Sequence, residues 1–454
     1  MRKQLLAEIE TEATFLLSNL IKIDTSNPPG NELPAANFIA KDFNKEGFEC
    51  EVIESSPGRG NILTRLKGAR RKPSLLLLSH LDVVPANSEE WSVNPFEGVV
   101  RDGFVWGRGA LDMKSMVAIE VLTMKLLKRN NVKLKGDIIF AATADEEQGG
   151  LAGIDYLLRN HRSKILANYV LNEGGGLAIP IQNKNLYTIQ TAEKGILWFK
   201  IIAKGIPGHG SIPNLADNAI LRMNKAIEKL SAFHPPIVIV PTLKRFLNKI
   251  AKEDPSLKDY ISRLLENPLQ GDKVLDELAE KDKLLAEEIR PRIRMTITPT
   301  VIHGGTKENV IPSECEATFD CRILPGQTTH QALDLIRELL MAVGLDKIAF
   351  KIIQSNEPSE SIFETPLYRI IKHVLREFEP TCNVIPLLMT GGTDSRFLRN
   401  EGSICYGFHP MLPEIASSKI IKREHGIDER ISVENLVFGA SVFYEVVKRF
   451  MSVQ

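Results

Sequence analysis

Cysteine is scarce in this chain of 454 residues, and the five present (Cys50, Cys315, Cys321, Cys382 and Cys405) are scattered, with no CxxC pair among them. That argues against a disulfide framework and a thiolate zinc site, and a reducing, cytoplasmic setting is expected. Net charge is also missing. Lys and Arg number 57, and so do Asp and Glu, which leaves no basic footprint for nucleic acid. Long apolar runs are absent as well: the longest are strand-length, such as Leu75–Leu78, far below the ~20 residues a membrane span requires. The opening MRKQLLAEIETEATFLLSNL carries acidic residues through its apolar part, so it reads as an amphipathic helix and not a signal peptide. No repeat or low-complexity stretch stands out. What is there is globular: 43% hydrophobic and 25% charged residues are ordinary for a folded chain. At ~150 residues per domain, the length predicts about three units.

Helical periodicity runs through Leu5–Ile23 and Ala35–Phe43, and again through Met113–Leu127. Between these lie short apolar runs at 61–66, 74–79, 137–143 and 169–171, read as strands. Strands that are apolar throughout are covered on both faces, so an α/β fold with a mixed sheet between helix layers is expected. After Glu193-Lys194-Gly195 the character changes. Strands at 196–203, 294–302, 314–323 and 348–353, with helices at 217–230 and 331–343, give the order β-α-β-β-α-β of a ferredoxin-like α+β unit. A Lys, Glu and Leu-rich stretch, about 235–292, interrupts it and reads as a helical insertion. From Glu364 the α/β pattern resumes, with a helix at 367–378, a strand at 404–408 and a closing helix at 433–450 capped by Ser432. The expected domains are therefore 1–194 and 359–454, forming one α/β body, with 195–358 inserted between them.

In open α/β sheets ligands bind beyond the carboxyl ends of the strands. The strand before His80 ends in His80-Leu81-Asp82, and Asp112 sits where Gly109-Ala110-Leu111 turns into a helix. Two further strands end in Asp145-Glu146-Glu147 and Asn172-Glu173-Gly174, and Glu424-His425-Gly426 lies before the last helix. Imidazoles and carboxylates converging on one rim suit a divalent metal, Zn²⁺ first. Asp82 is placed to accept the second N–H of His80. Neighbours such as Glu146 and Glu147 point different ways on leaving a strand, so one can ligate while the other faces substrate. Glu424, Asp428 and Asp145 read as supporting or exposed, and His161, His234, His303, His330, His373 and His409 as surface or core residues.

The motifs SHLDVVP, WGRGALDMKS, TADEEQGG, LNEGGG and EHGIDER resemble, in order and spacing, the dinuclear zinc exopeptidases and deacylases that include aminoacylase-1, glutamate carboxypeptidase, acetylornithine deacetylase and succinyl-diaminopimelate desuccinylase. The resemblance covers nearly the whole chain. It implies a zinc-exopeptidase-like catalytic domain with an inserted lid and dimerisation domain. It also implies two divalent ions per subunit, Zn²⁺ first and Co²⁺ or Mn²⁺ as alternatives: His80, Asp112 and Glu173 would hold one, and Asp112, Glu147 and His425 the other, with Asp112 bridging. Asp82 would orient His80, and Glu146 would be the general base. The family's cis peptide after the bridging aspartate falls here at Asp112–Met113, where relatives more often carry a second aspartate. Glu173 replaces an Asp of some relatives.

The same resemblance makes His209, in Gly208-His209-Gly210-Ser211, a donor to the partner subunit's site; read alone it is a turn histidine. Gly391, Gly392 and Thr393 with Arg396 look like the carboxylate-binding turn, where an arginine fork can pair bidentately. Asn309 and Arg322 match substrate-contacting positions, although a strand-surface ion pair explains Arg322 equally well. The implied activity is hydrolysis of an amide or peptide bond next to a free carboxylate in a dipeptide or N-acyl amino acid. A metal brings the pKa of bound water from ~15.7 toward ~7, which makes it a nucleophile at neutral pH. Rival readings are a deacylase of a biosynthetic intermediate such as acetylornithine or succinyl-diaminopimelate, and a non-catalytic binding relative. No membrane and no nucleic-acid partner is expected.

Overall fold

The structure, a computed structural model, describes residues 2–342, 348–413 and 423–453. The chain divides into two compact units: Met1–Thr191, Ser361–Leu387 and Thr393–Gln454 form the first, Ala192–Glu360 and Leu388–Gly392 the second.

The first unit is built on a mixed sheet whose order is Cys50–Ser56, Arg59–Leu66, Gly136–Thr143, Arg70–His80, Tyr169–Asn172, Ile404–Gly407 and Lys184–Glu193. Leu75, Leu76, Leu77 and Leu78 are all fully buried, and they alternate between two cores. Leu75 and Leu77 pack with the helices Arg2–Ile21, Lys114–Arg129 and Val433–Met451; Leu76 and Leu78 pack with helix Ile154–Ile165 on the opposite face. Each such side chain contributes about 1.5–3 kcal/mol by leaving water, which is why an unbroken apolar run forms a central strand here. Arg70–His80 runs parallel to both Gly136–Thr143 and Tyr169–Asn172, and Ile404–Gly407 runs parallel to Tyr169–Asn172. The register pairs His80 with Thr143 and Asn172 with Gly407. Four parallel strands therefore end at one rim.

The expected elements are present with ends shifted by a few residues. Several strands were not foreseen, among them Cys50–Ser56, an edge strand with only Ile53 buried, Ala178–Ile181, Lys184–Glu193 and Asn383–Met389. A small ribbon pairs Phe104–Trp106 with Arg430–Ser432, and Ser432 Oγ caps the last helix by accepting the N–H of Asn435.

The second unit contains an antiparallel sheet in the order Thr296–Gly304, Glu314–Ile323, Gly195–Lys204, Ile348–Asn356. Helices Ala219–Ser231 and Thr329–Met341 cover one face, where Phe199 stacks on Phe319 at 5.3 Å and Met223, Leu230, Ile336 and Leu340 fill the core. Val343, the expected last residue of the second helix, lies outside the described residues. The insertion is helical: Pro241–Glu253, Lys258–Glu266, Gly271–Lys281 and Lys283–Ile289, with Phe246, Leu247, Leu264 and Leu275 buried. Among the described residues no helix is long and apolar enough to cross a membrane.

Candidate metal centre

Each candidate ligand sits where regular structure ends. His80 closes its strand and is 2% exposed. Its Nδ1 lies 2.9 Å from the backbone oxygen of Asp82 and 3.5 Å from Asp82 Oδ1. The carbonyl, more than the expected carboxylate, thus fixes the ring and turns Nε2 toward the rim. The Asp82 carboxylate serves the neighbouring turn instead. Its Oδ1 accepts the N–H of Glu146 and its Oδ2 that of Glu147, each at 3.1 Å, while Asn27 Nδ2 donates to Oδ2 at 2.9 Å. Asp145 enters that turn in the left-handed region with φ 72°, a conformation Asp tolerates by bonding locally. Its carboxylate accepts from Ala152 N–H and from Arg59.

Asp112 lies in the loop between the ribbon strand Phe104–Trp106 and the helix Lys114–Arg129, and the Asp112–Met113 peptide is cis. Gly109 in this loop has φ 85°, and a Cβ there would meet Val83 Cγ1 at 2.8 Å. Only glycine satisfies both demands. The two oxygens of Asp112 face two different imidazoles: Oδ1 is 3.1 Å from His80 Nε2, and Oδ2 is 2.9 Å from His425 Nε2. Glu173 Oε2 stands 3.8 Å from His80 Nε2, and Glu147 Oε1 stands 3.3 Å from His425 Nε2. Two ligand sets result, His80–Asp112–Glu173 and Asp112–Glu147–His425, each with its donor atoms within 4.8 Å of one another.

The donor chemistry of these sets fits two divalent cations. Three carboxylates and two imidazoles match the borderline preference of zinc-like ions. Glu147 Oε1 is buried and faces His425 Nε2 at 3.3 Å. With only the protein's own charges present, burial and then Glu173 push the Glu146 pKa well above the usual carboxylate value. Burial, with Asp112 and Glu147 adding to it, raises Glu173 to about 7 against the pull of His80. Hydrogen bonds to Asp112 and Glu147 carry His425 to about 11. Carboxylates this crowded and buried are short of positive charge, which cations would supply.

Residues 76–449 match Peptidase family M20/M25/M40. This chain belongs to that family. It is similar to the N-fatty-acyl-amino acid synthase/hydrolase PM20D1 of Mus musculus, 30% identical over 389 residues that span 83% of this chain and 74% of the relative. Its fold is similar to the M20 family metallo-carboxypeptidase Sso-CP2 from Sulfolobus solfataricus, with TM-score 0.73, 19% identity and 96% and 98% of the two chains covered. It is also similar to the YXEP protein of Bacillus subtilis, described as a dinuclear metal binding peptidase, with TM-score 0.62, 15% identity and 98% and 99% covered. The protein is an M20 metallohydrolase of amide bonds, with candidate ligand sets for two metal ions.

The remaining candidates of this M20 hydrolase fall in both units. Arg396 is 5% exposed and its guanidinium is engaged: Nη1 donates to Thr393 O at 2.6 Å and Nη2 to Gly149 O at 2.9 Å, with Nη1 3.9 Å from Glu146 Oε1. It therefore braces the turn carrying Thr393 and lies beside the expected base. Gly391 and Gly392, which precede Thr393, belong to the second unit. His209 is exposed there, on a two-residue strand paired with Val310–Ile311, and its Nδ1 pairs with Ser211. Asn309 joins it, its carbonyl accepting the N–H of Gly210 at 2.8 Å. Arg322 forms a fork with Asp320 at 2.7 and 3.0 Å, the strand-surface pair that was its alternative reading.

Asp428 accepts from the Ser92 N–H and hydroxyl, while burial and then Asp112 push Glu424 up to about 8. His330 and His373 pair with acids one helical turn on, and His409 is buried. Sequence reasoning passed over Asn27, Asp394, Arg108 and Glu429. None belongs to either ligand set, and all are buried: Asn27 donates to Asp82, Asp394 accepts from Thr143, Arg108 donates to the backbone oxygen of His425, and Glu429 accepts the N–H of Asp112.

Proposed function

We propose that this M20 hydrolase cleaves the amide bond next to a free carboxylate in small N-acyl amino acids and dipeptides, as a homodimer, with Zn²⁺ as its resident metal. The observation that carries the reading is the placing of Asp112, whose two oxygens face His80 and His425 from one loop. His80, Asp112 and Glu173 would hold one ion and Asp112, Glu147 and His425 the other. When bound, such ions acidify water and polarise a carbonyl. Glu146, in neither ligand set, takes the proton from the attacking water and returns it to the departing nitrogen. Asp82 holds Glu146 and Glu147 in place through their backbone N–H groups. The turn Gly391-Gly392-Thr393, braced by Arg396, receives the substrate carboxylate, with Asn309 and Arg322 contacting the rest of the substrate. The presence of Glu146 argues against a non-catalytic relative, in which decay would be expected to strike the base or a ligand.

The test is a substrate panel on metal-loaded protein. N-acyl amino acids and dipeptides should be hydrolysed, and the same compounds with the carboxylate amidated should not. Cleavage confined to internal peptide bonds would exclude the proposal, and exclusive turnover of acetylornithine or succinyl-diaminopimelate would favour the biosynthetic deacylase. Chelation should abolish turnover and divalent metal should restore it; chelator-resistant turnover by verified metal-free protein would contradict metal dependence.

The dimer is proposed to form through the second unit. Its edge strand Thr296–Gly304 leaves Val301 45% and Ile302 55% exposed, and the neighbouring helix Ala219–Ser231 leaves Leu221 62% exposed. An unprotected apolar edge is a surface that favours pairing. His209, on the same unit, would then stabilise the oxyanion in the partner's site. Replacing His209 by Ala should cripple activity with the metal retained, and mixing that variant with Glu146→Gln should regain part of it. No recovery after demonstrated subunit exchange would count against shared sites.

A further inference from the structure

Glu429 is fully buried, close to the rim, and belongs to neither ligand set. Its Oε1 accepts the N–H of Leu111 at 2.7 Å and the N–H of Asp112 at 3.1 Å. Its Oε2 accepts the N–H of Gly109 at 3.1 Å and Nη1 of Arg108 at 2.7 Å. One carboxylate thus gathers three backbone donors and a guanidinium from a single stretch, 108–112. An ionised carboxylate is acceptor-only, with about four lone-pair sites, and here all four are used.

Two more contacts tie this carboxylate to the other side of the site. Arg108, 3% exposed, donates Nη2 to the backbone oxygen of His425 at 3.2 Å. The Glu429 carbonyl accepts the N–H of Gly107 at 2.9 Å, and Arg430 pairs with Trp106 in the ribbon that follows. His425 itself holds a left-handed φ of 59°, a conformation that needs surrounding support.

We infer that Glu429, acting with Arg108, is a positioning residue that sets the bridging ligand Asp112 and the backbone of His425 at one spacing. The inference rests on the two-metal reading above. The Asp112 oxygens meet both imidazoles only if the backbone N–H of Asp112 stays where Glu429 holds it. The pair touches the backbone of two of the three ligands in Asp112–Glu147–His425, and of one in His80–Asp112–Glu173. Loss of the clamp should therefore weaken the Asp112–Glu147–His425 set more than the other. Glutamine at this position keeps the size but offers one acceptor oxygen, so its NH₂ group faces donors and two of the four bonds are lost.

The experiment is metal binding by Glu429→Gln across a chelator-buffered Zn²⁺ series, read as bound metal per subunit, with folding followed by circular dichroism and melting. The wild type should bind two equivalents. The variant should lose one equivalent first, its weaker site falling by roughly 10- to 100-fold in affinity, the usual effect of removing a group that orients ligands. At limiting metal kcat should fall and recover in excess metal, with KM within about threefold of wild type. A lowered melting temperature with both equivalents bound as in wild type would show a merely structural role and overturn the inference. Should Glu429→Gln fail to fold, Arg108→Lys serves instead, because it disturbs the link to His425 and leaves the backbone bonds of Glu429. A selective loss of the second equivalent there supports the clamp, and unchanged affinity at both sites overturns it. A wild-type protein that binds no metal would remove the two-metal reading and this inference with it.

Discussion

Changing Glu146 to Gln is expected to lower kcat by roughly 10²- to 10⁴-fold, the span of a positioned general base, while two equivalents of metal stay bound. The substitution is close to isosteric, and its backbone N–H can still donate to Asp82 Oδ1 at 3.1 Å. The turn and the neighbouring ligand Glu147 should therefore hold. What the amide cannot do is accept a proton. A fall of 10³ corresponds to about 4 kcal/mol of transition-state stabilisation. The substrate carboxylate is assigned to other groups, so KM should change little, the pattern of an interaction made only in the transition state. Parallel metal analysis and steady-state kinetics decide the matter. Unchanged kcat would take Glu146 out of the chemistry, whereas a loss of metal would recast it as a ligand or a structural support.

Glu146 was legible in the sequence because it follows a strand buried on both faces. The run Gly136–Thr143 has no polar interruption from Ile138 to Ala142, so its end, and the acidic cluster after it, could be located. The same logic exposed His80 and Glu173. The Cys50–Ser56 edge strand escaped notice because only Ile53 is buried, so solvent and not a core dictates its pattern. Supporting residues escaped for a different reason. Asn27 and Glu429 act on backbone N–H groups or on other side chains' oxygens, and nothing in residue type marks such a bond. Asp82 was legible as a partner of His80, yet its carboxylate mainly aligns Glu146 and Glu147, since the carbonyl of Asp82 already takes His80 Nδ1. Arg396 shows the reverse: its motif was visible, but its use of both Nη groups on carbonyls emerges only in three dimensions.

Changing Asp112 to Asn is the second large effect expected: metal content should fall from two equivalents to at most one, and activity by roughly 10³-fold or more, the several kcal/mol that cation chemistry supplies. Asp112 is the only residue common to both ligand sets, and an amide presents one oxygen where two are needed. Metal loading should also tell the proteins apart without any substrate. A ligand at 100 times its Kd stabilises the folded state by about 2.7 kcal/mol per site, so the melting shift on loading should shrink in Asp112→Asn.

The proton balance adds an independent check. His425, raised to about 11 by Asp112 and Glu147, is protonated in the metal-free protein at neutral pH and must be neutral to ligate. Wild-type loading should therefore release protons, and its affinity should climb with pH. Removing the negative charge of Asp112 lowers that pKa, so the variant should release fewer protons per ion bound, a difference calorimetry in buffers of different ionisation enthalpy would read. Two equivalents bound at wild-type affinity by Asp112→Asn would mean that the two imidazoles do not share a bridge, and the geometry on which the hydrolytic reading stands would have to be reassigned.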